Sequence, residues 1–113
     1  MTDCAFCRIA RGEASARIVY QDGTVTAFHD CNPQAPTHVL IIPNRHIESV
    51  NQVESADQDL LGRLFLVARQ VAEDEGVAAG YRLVVNTGVQ AGQSVFHLHV
   101  HLLGGRRLGW PPG

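Results

Sequence analysis

The chain has 113 residues, of which 45% are hydrophobic and 18% charged, and its formal net charge is −2. This length suits one domain over residues 1–113, and the charge offers no basic surface for nucleic acid. No apolar run approaches the roughly 18 residues that span a bilayer, and the first fifteen residues lack a signal-peptide core. We therefore expect a cytoplasmic protein with neither a nucleic-acid nor a membrane partner. Its three cysteines are not expected to form disulfides there.

The N-terminal half predicts short elements separated by turns. Asp22-Gly23 is a strong hairpin signal, and the two prolines between residues 32 and 36 favour a loop. The predicted elements are a short helix over 4–10 and strands over 17–21, 24–29 and 38–42.

Residues 55–75 predict the one long helix. Ser55 and Gln58 resemble a capping box, and Gly76 is a plausible stop. An apolar stripe at helical spacing should pack on a sheet. It comprises Leu60, Leu61, Leu64, Val67, Ala68, Val71 and Ala72. A strand over 81–86 and a loop over 87–94 follow.

Residues 95–103 alternate between apolar side chains and histidines, the pattern of a strand. His97, His99 and His101 share one face of this predicted strand. The other face is apolar and comprises Phe96, Leu98, Val100 and Leu102. With five strands, one long helix and one short helix, the chain is predicted to be of the α+β class.

Three interpretations of the histidine face compete. The histidines could be a solvated face, although surface strands favour Thr, Lys or Glu. They could bind one metal, but neighbours on one face are about 6.6 Å apart, so His97 and His101 would be about 13 Å apart. Metal–nitrogen bonds of about 2 Å cannot easily bring all three to one ion. In the third interpretation, the middle histidine does chemistry and its neighbours support it.

The loop before the predicted strand favours this third interpretation. Gly88, Gly92, Gln93 and Ser94 offer backbone N–H groups and small polar side chains that can cradle an oxyanion. A neutral imidazole facing a held phosphate is a nucleophile. The combination is typical of phosphoryl or nucleotidyl transfer.

The ordered motifs resemble the histidine triad family. Residues 97–103 match its His-φ-His-φ-His-φ-φ signature, where φ is apolar. Residues 92–95 and the segments 104–106 and 110–113 resemble the Hint branch of that family. Further matches cover most of the chain upstream: Phe28-His29-Asp30, Pro33 to His38, and Ile41-Ile42-Pro43.

This resemblance implies a fold and a reaction. The fold is an antiparallel sheet backed by a helix, and two subunits join into a ten-stranded sheet in a homodimer. In the reaction, His99 attacks the α-phosphorus of a purine nucleoside phosphoramidate or related nucleotide. Water then cleaves the nucleotidyl–histidine intermediate, and no cofactor is required for catalysis.

The resemblance also assigns roles to the residues around His99. A backbone carbonyl near the triad orients the nucleophile, His38 orders the imidazoles, and Ser94 lies near the leaving group. Trp110 belongs to a tail that approaches the neighbouring subunit's site. The positions that match contacts to the α-phosphate are Asn86, Gly92, Ser94 and His101. Gln93 is a further candidate there, but its amide could equally face water.

The nucleoside half would be held by a carboxylate and an apolar pocket. Asp30 matches the acceptor of the ribose hydroxyls. The positions that match the base pocket are Phe6, Ile9, Phe28, His29 and Cys31. Apolar walls bind the faces of any purine, so base choice should be loose.

A second constellation predicts a metal site. Cys4 and Cys7 have zinc-knuckle spacing, and His46 and His97 could complete a Cys2His2 tetrahedron. Some bacterial histidine triad proteins hold structural zinc in this way. Two thiols without a metal remain the alternative, and a thioredoxin-like role is less consistent with the absence of a preceding strand.

Three functions are compatible with the sequence. The leading hypothesis is an enzyme that releases AMP or GMP from amine-linked or acyl-linked nucleotides. A nucleotide-binding regulator with low turnover would have the same sequence features. A dinucleoside polyphosphate hydrolase is less consistent with the Trp-Pro-Pro-Gly ending and the Gly-Gln-Ser-Val segment.

Overall fold

A computed structural model describes residues 4–113. Its helices and strands are α1 (Ala5–Ala10), β1 (Ile18–Gln21), β2 (Val25–His29), β3 (Thr37–Pro43), α2 (Gln58–Asp74), β4 (Tyr81–Val84) and β5 (Val100–Gly104). Three short 3-10 turns occur at Val50–Gln52, Ser55–Asp57 and Val89–Ala91. Within this described range, the helices lack the length and apolarity needed to cross a membrane.

The five strands form one antiparallel sheet in the order β1-β2-β3-β5-β4. The predicted α+β class is confirmed. Successive residues of the strands face opposite sides, so the sheet has two cores. On one side α2 packs against a cluster that includes Val39, Ile41 and Val100. On the other side Phe6 of α1 packs against Phe28.

Helix α2 buries most of its predicted apolar stripe. Five of these residues are buried, and Leu60 and Leu61 are partly buried against the same core. The predicted capping box at Ser55 and Gln58 is wrong by one residue. Instead, the backbone N–H of Glu54 donates to the carboxylate of Asp57 at 2.9 Å, and the N–H of Asp57 donates to the Glu54 carbonyl. A 3-10 turn therefore precedes the α-helix proper.

The largest difference from the sequence prediction lies before β5. The predicted strand over 95–103 begins only at Val100, and the predicted strand over 81–86 ends at Val84. The backbone N–H of Leu98 donates at 2.6 Å to the carbonyl of Ile47, and Ile47 is a loop residue outside the sheet. Because this segment leaves the ladder, strict alternation fails there, and Phe96 is 45% exposed instead of joining the apolar face.

We predict that Gly104→Ala destabilises the protein, because a Cβ at this position would lie 2.9–3.1 Å from three side-chain carbons of Val77. Overpacking of this kind costs about 1–3 kcal/mol. Gly62→Ala in α2 is the control, since a Cβ there meets nothing within 4 Å. It should stabilise the helix by up to about 1 kcal/mol. Urea denaturation measures both, and equal effects of the two substitutions would contradict the packing at Gly104.

Candidate active site and metal centre

A cavity of about 810 Å³ lies beside α1 on the sheet face opposite α2. Nine of the residues predicted to bind nucleotide line it: Phe6, Ile9, Phe28, His29, Asp30, Cys31, Ser94, His99 and His101. The predicted residues that do not line it are Asn86, Gly92 and Gln93. The volume is within the range of small-molecule sites.

The sequence does not predict one wall of this cavity. Ser15, Ala16 and Arg17 line it from the segment before β1. The sequence predicts Arg17 only as the start of a strand, and that strand begins at Ile18 instead. No local pattern marks these residues, because their place at the cavity depends on how the chain folds between α1 and β1.

His99 is oriented by a backbone carbonyl. Its Nδ1 lies 2.7 Å from the carbonyl oxygen of His97. Because a carbonyl only accepts, Nδ1 must carry the proton, and the neutral ring then keeps its lone pair on Nε2. The ring of Phe6 packs edge-on against His99, with centroids 5.2 Å apart. The side chain is therefore fixed at the cavity with one nitrogen free to act as a nucleophile.

The neighbouring imidazoles form a directional chain of hydrogen bonds. The backbone N–H of Gln34 donates to Nδ1 of His38 at 3.0 Å, which places the proton of the neutral His38 ring on Nε2. That Nε2 lies 2.9 Å from Nδ1 of His101 and donates to it. His101 must then carry its own proton on Nε2. It is thereby a hydrogen-bond donor on the wall of the cavity.

The surroundings keep these two rings neutral. Burial, with smaller contributions from His99 and His38, lowers the pKa of His101 to about 4. Burial also lowers the pKa of His38, although the Asp30 carboxylate, 3.4 Å from its Nε2, opposes this. The chain of hydrogen bonds from Gln34 through His38 to His101 is therefore the arrangement present at neutral pH.

The loop before Ser94 turns through two glycines. Gly88 and Gly92 have φ values of 89° and 93°, a region that side chains rarely adopt. A Cβ on Gly92 would lie 3.8 Å from Nδ2 of Asn86, so these two predicted phosphate contacts are neighbours. Ser94 follows at the cavity wall.

Gln93 is buried inside this loop and is 4% exposed. Its amide nitrogen donates to the carbonyls of Glu48 and Val95, at 2.8 and 3.1 Å, and its oxygen accepts from the N–H of Gly88 at 2.9 Å. These bonds hold the loop in shape against the segment around Glu48. The predicted alternative in which the amide faces water is wrong, because the side chain is buried in the loop. The predicted contact of Gln93 with the phosphate stays a prediction.

The predicted metal ligands Cys4, Cys7, His46 and His97 meet at one point. Their donor atoms all lie within 4.8 Å of one another. The sulfur of Cys4 is 3.3 Å from Nδ1 of His97, and that of Cys7 is 3.3 Å from Nδ1 of His46 and 3.5 Å from Nδ1 of His97. Bonds of about 2.3 Å to sulfur and about 2.0 Å to nitrogen in a tetrahedron separate such atoms by about 3.5 Å.

The protonation of His97 also suits a metal. Its Nε2 lies 2.8 Å from the carbonyl of Pro43 and must donate to it, so Nδ1 keeps the lone pair that faces the two sulfurs. Burial lowers the pKa of this ring. Two thiols and two imidazoles at these distances fit a tetrahedral cation.

A second group of donors, Asp30, His38 and His101, has a different chemistry. These atoms also lie within 4.8 Å of one another. A metal bound to Nε2 of His38 would shift the ring proton to Nδ1, where it would face the N–H of Gln34. Two donors would then point at each other. We therefore assign this group to hydrogen bonding within the cavity wall.

The pKa of His101 leads to a prediction of pH-dependent stability. The unfolded ring takes up a proton near pH 6.5, whereas the folded ring does so only near 4. Between pH 6.5 and pH 4 the unfolded ring therefore binds more protons than the folded ring, which favours the unfolded state. The free energy of unfolding should fall as pH decreases through this window. In His101→Asn the fall should be smaller. Urea denaturation at about pH 7.5 and about pH 5 measures it, and an identical fall in both proteins would contradict the lowered pKa.

Comparison with known proteins identifies the family. The HIT domain model matches residues 11–108. The chain is 55% identical over 105 residues to the purine nucleoside phosphoramidase of Escherichia coli K12, covering 92% of this chain and 88% of that protein. Solved structures of HIT family hydrolases are also similar. One is from Legionella pneumophila, with 49% identity, a TM-score of 0.96 and coverage of 98% and 100%. Another is from Clostridium thermocellum, with 48% identity, a TM-score of 0.93 and coverage of 96% of each chain. The chain belongs to the histidine triad (HIT) family.

Proposed function

We propose that this protein hydrolyses purine nucleoside phosphoramidates of the AMP–amine type. The observation that carries the proposal is the bond from Nδ1 of His99 to the His97 carbonyl, which leaves Nε2 unprotonated at a nucleotide-sized cavity. The relative from Escherichia coli, at 55% identity, is a purine nucleoside phosphoramidase.

In the first step, Nε2 of His99 attacks the α-phosphorus. A bond forms between phosphorus and this nitrogen as the bond to the leaving amine breaks, and the amine takes up a proton from solvent. Nε2–H of His101, fixed by His38, donates to a phosphoryl oxygen as charge develops there. Ser94 stands at the same wall as a donor to the leaving group.

In the second step, water attacks the phosphorus of the nucleotidyl–histidine. A phosphorus–oxygen bond forms as the bond to Nε2 breaks, the water gives up one proton to solvent, and the nucleoside monophosphate leaves. The His97 carbonyl stabilises the ring whenever it carries positive charge in this cycle, because it accepts the Nδ1 proton throughout. Apart from the attacking water and the protons exchanged with solvent, every group named in these steps belongs to this chain.

The nucleoside would occupy the part of the cavity next to α1. Phe6, Phe28 and Ile9 provide apolar walls for a purine. Asp30 is the acceptor for the ribose hydroxyls. The N–H of Asn32 donates to one oxygen of its carboxylate and so fixes the side chain. The side chain is 19% exposed, so the carboxylate remains accessible to the ribose. Cys31, exposed at the rim, completes the predicted pocket with His29.

We also propose that Cys4, Cys7, His46 and His97 bind structural zinc. Four protein ligands complete a tetrahedron, so the ion would fix the position of α1 and of the segment before β5. His97 connects this centre to the active site, because its side chain is a proposed ligand and its carbonyl orients His99.

We further propose a homodimer in the cytoplasm. β1 and β4 are the two edges of the sheet, and an edge strand can pair with that of a second copy. Phe65 and Leu66 of α2 are each at least half exposed. Trp110, 82% exposed, lies on the C-terminal tail that is predicted to approach the other subunit's site.

We predict that His99→Asn lowers kcat/KM for an adenosine phosphoramidate by at least about 10⁴-fold, because no nucleophile remains. His29→Asn is a matched control at the cavity wall. It should change mainly KM. Steady-state hydrolysis and circular dichroism measure activity and folding. Turnover of folded His99→Asn within a few-fold of the wild type would overturn the proposed nucleophile. Comparison with a diadenosine polyphosphate separates this activity from that of a dinucleoside polyphosphate hydrolase.

The zinc proposal predicts about one zinc per chain in protein purified without chelator. Cys4→Ser and His46→Asn should each lower this stoichiometry and the melting temperature. Cys31→Ser should change neither, since Cys31 is exposed and lies outside the ligand group. Elemental analysis and thermal denaturation provide the measurements. A wild-type stoichiometry far below one would contradict the proposal.

A further inference from the structure

The loop over residues 88–93 holds its own shape through backbone hydrogen bonds. The N–H groups of Ala91 and Gln93 both donate to the carbonyl of Gly88 at 3.1 Å. In the part of the chain that the structure describes, the backbone–backbone bonds of this loop all join two of its own residues. These bonds give the loop a shape, but they do not fix its position against the rest of the cavity wall.

The side chain of Gln93 links this loop to the rest of the chain. Its amide nitrogen donates to the carbonyls of Glu48 and Val95, and its oxygen accepts from the N–H of Gly88. Both N–H groups of the amide are therefore used. One buried amide thus joins both ends of the loop to a residue 45 positions earlier in the chain.

Other contacts hold the two points to which this amide attaches the loop. Glu48 follows Ile47, which is buried in the core beneath α2 and whose carbonyl accepts from the N–H of Leu98. Val95 packs against the cluster that contains Phe6. Because both points are held independently of the loop, the Gln93 amide sets where the loop lies relative to the cavity.

Ser94 lies between two residues that this amide fixes. The Ser94 side chain is at the cavity wall, and its hydroxyl has no hydrogen-bond partner among residues 4–113. Gln93 precedes it, and Val95, whose carbonyl accepts from the Gln93 amide, follows it. Since no bond of its own holds the hydroxyl, its place at the wall depends on the backbone on either side.

We propose that Gln93 is a positioning residue for departure of the leaving amine. It holds Ser94 where the hydroxyl donates to the leaving nitrogen as negative charge develops there. This inference rests on the proposed function and adds a residue to its machinery. The role requires no contact between Gln93 and the substrate, and no bond forms or breaks at Gln93.

The test uses two adenosine phosphoramidates, those of propylamine and of p-nitroaniline. Propylamine is the more basic amine, so its departure depends more on a hydrogen-bond donor. Gln93→Met keeps an unbranched side chain and removes the three hydrogen bonds. We expect it to lower kcat/KM for the propylamine compound about 10²-fold, the effect of a displacement of about 1 Å. The value for the nitroaniline compound should fall at most about threefold, since kcat/KM covers only the steps through departure of the amine.

Ser94→Ala completes a double-mutant cycle. Alone, it should also slow the propylamine compound more than the nitroaniline compound. In this background Gln93→Met should change kcat/KM for the propylamine compound by at most about threefold, because the group that Gln93 positions is already gone. Losses that multiply in the double variant would contradict an action through Ser94.

Gln21→Met is the matched control. The Gln21 amide donates to the Ala10 carbonyl at 3.0 Å and to the Thr26 hydroxyl at 2.9 Å, and Gln21 does not line the cavity. This variant should keep the wild-type ratio of the two kcat/KM values. Gln93→Asn, with an amide one methylene shorter, serves if Gln93→Met does not fold, because unpaired buried groups destabilise. It should shift the ratio in the same direction by a smaller factor.

Circular dichroism checks the folding of each variant, and steady-state hydrolysis provides the ratios. Equal losses for the two substrates in folded Gln93 variants would overturn the proposal, as would the same shift in ratio in Gln21→Met. If wild-type protein hydrolyses neither compound, the proposed function fails and this role fails with it. Hydrolysis of both compounds by the wild type, with equal losses in the Gln93 variants, removes only the role of Gln93.

Discussion

The candidate site depends on one bond, from Nδ1 of His99 to the carbonyl of His97. This carbonyl is free to accept from a side chain because the backbone has not yet entered the sheet, which it joins at Val100. In a regular ladder such a group pairs with a neighbouring strand. The irregular segment before β5 thus converts a backbone acceptor into the group that sets the tautomer of the proposed nucleophile.

The same segment joins the two candidate centres. The side chain of His97 faces the sulfurs of Cys4 and Cys7, whereas its carbonyl faces His99. Phe6 of α1 packs edge-on against the rings of both histidines. An ion at the cysteines would therefore act at a distance from the chemistry, by restricting the residue whose carbonyl orients the nucleophile.

Sequence patterns predicted the elements whose packing is periodic. The stripe on α2 packs as expected, and Leu98, Val100 and Leu102 are buried in the same core. Alternation failed at Phe96 and at the start of β5, because the hydrogen bond from Leu98 to Ile47 joins residues 51 positions apart. A period-2 pattern does not contain that contact, nor the role of Gln93 in its loop.

The resemblance to the family predicted much of the cavity wall, because motif positions carry information about distant contacts. It did not include Ser15, Ala16 or Arg17, which lie outside the quoted motifs. The structure was also needed to assign which nitrogen of each imidazole carries the proton. Only the partners of each ring nitrogen, such as the Gln34 N–H at His38, show which atom donates and which accepts.

A crystal structure of the protein with bound AMP tests the central claim most directly. We expect the α-phosphorus to lie within about 3–3.5 Å of Nε2 of His99, the distance of a near-attack geometry. Nδ1 should remain hydrogen-bonded to the His97 carbonyl. A phosphate held elsewhere in the cavity, or an imidazole turned so that Nδ1 faces the phosphorus, would contradict the assignment of His99 as the nucleophile.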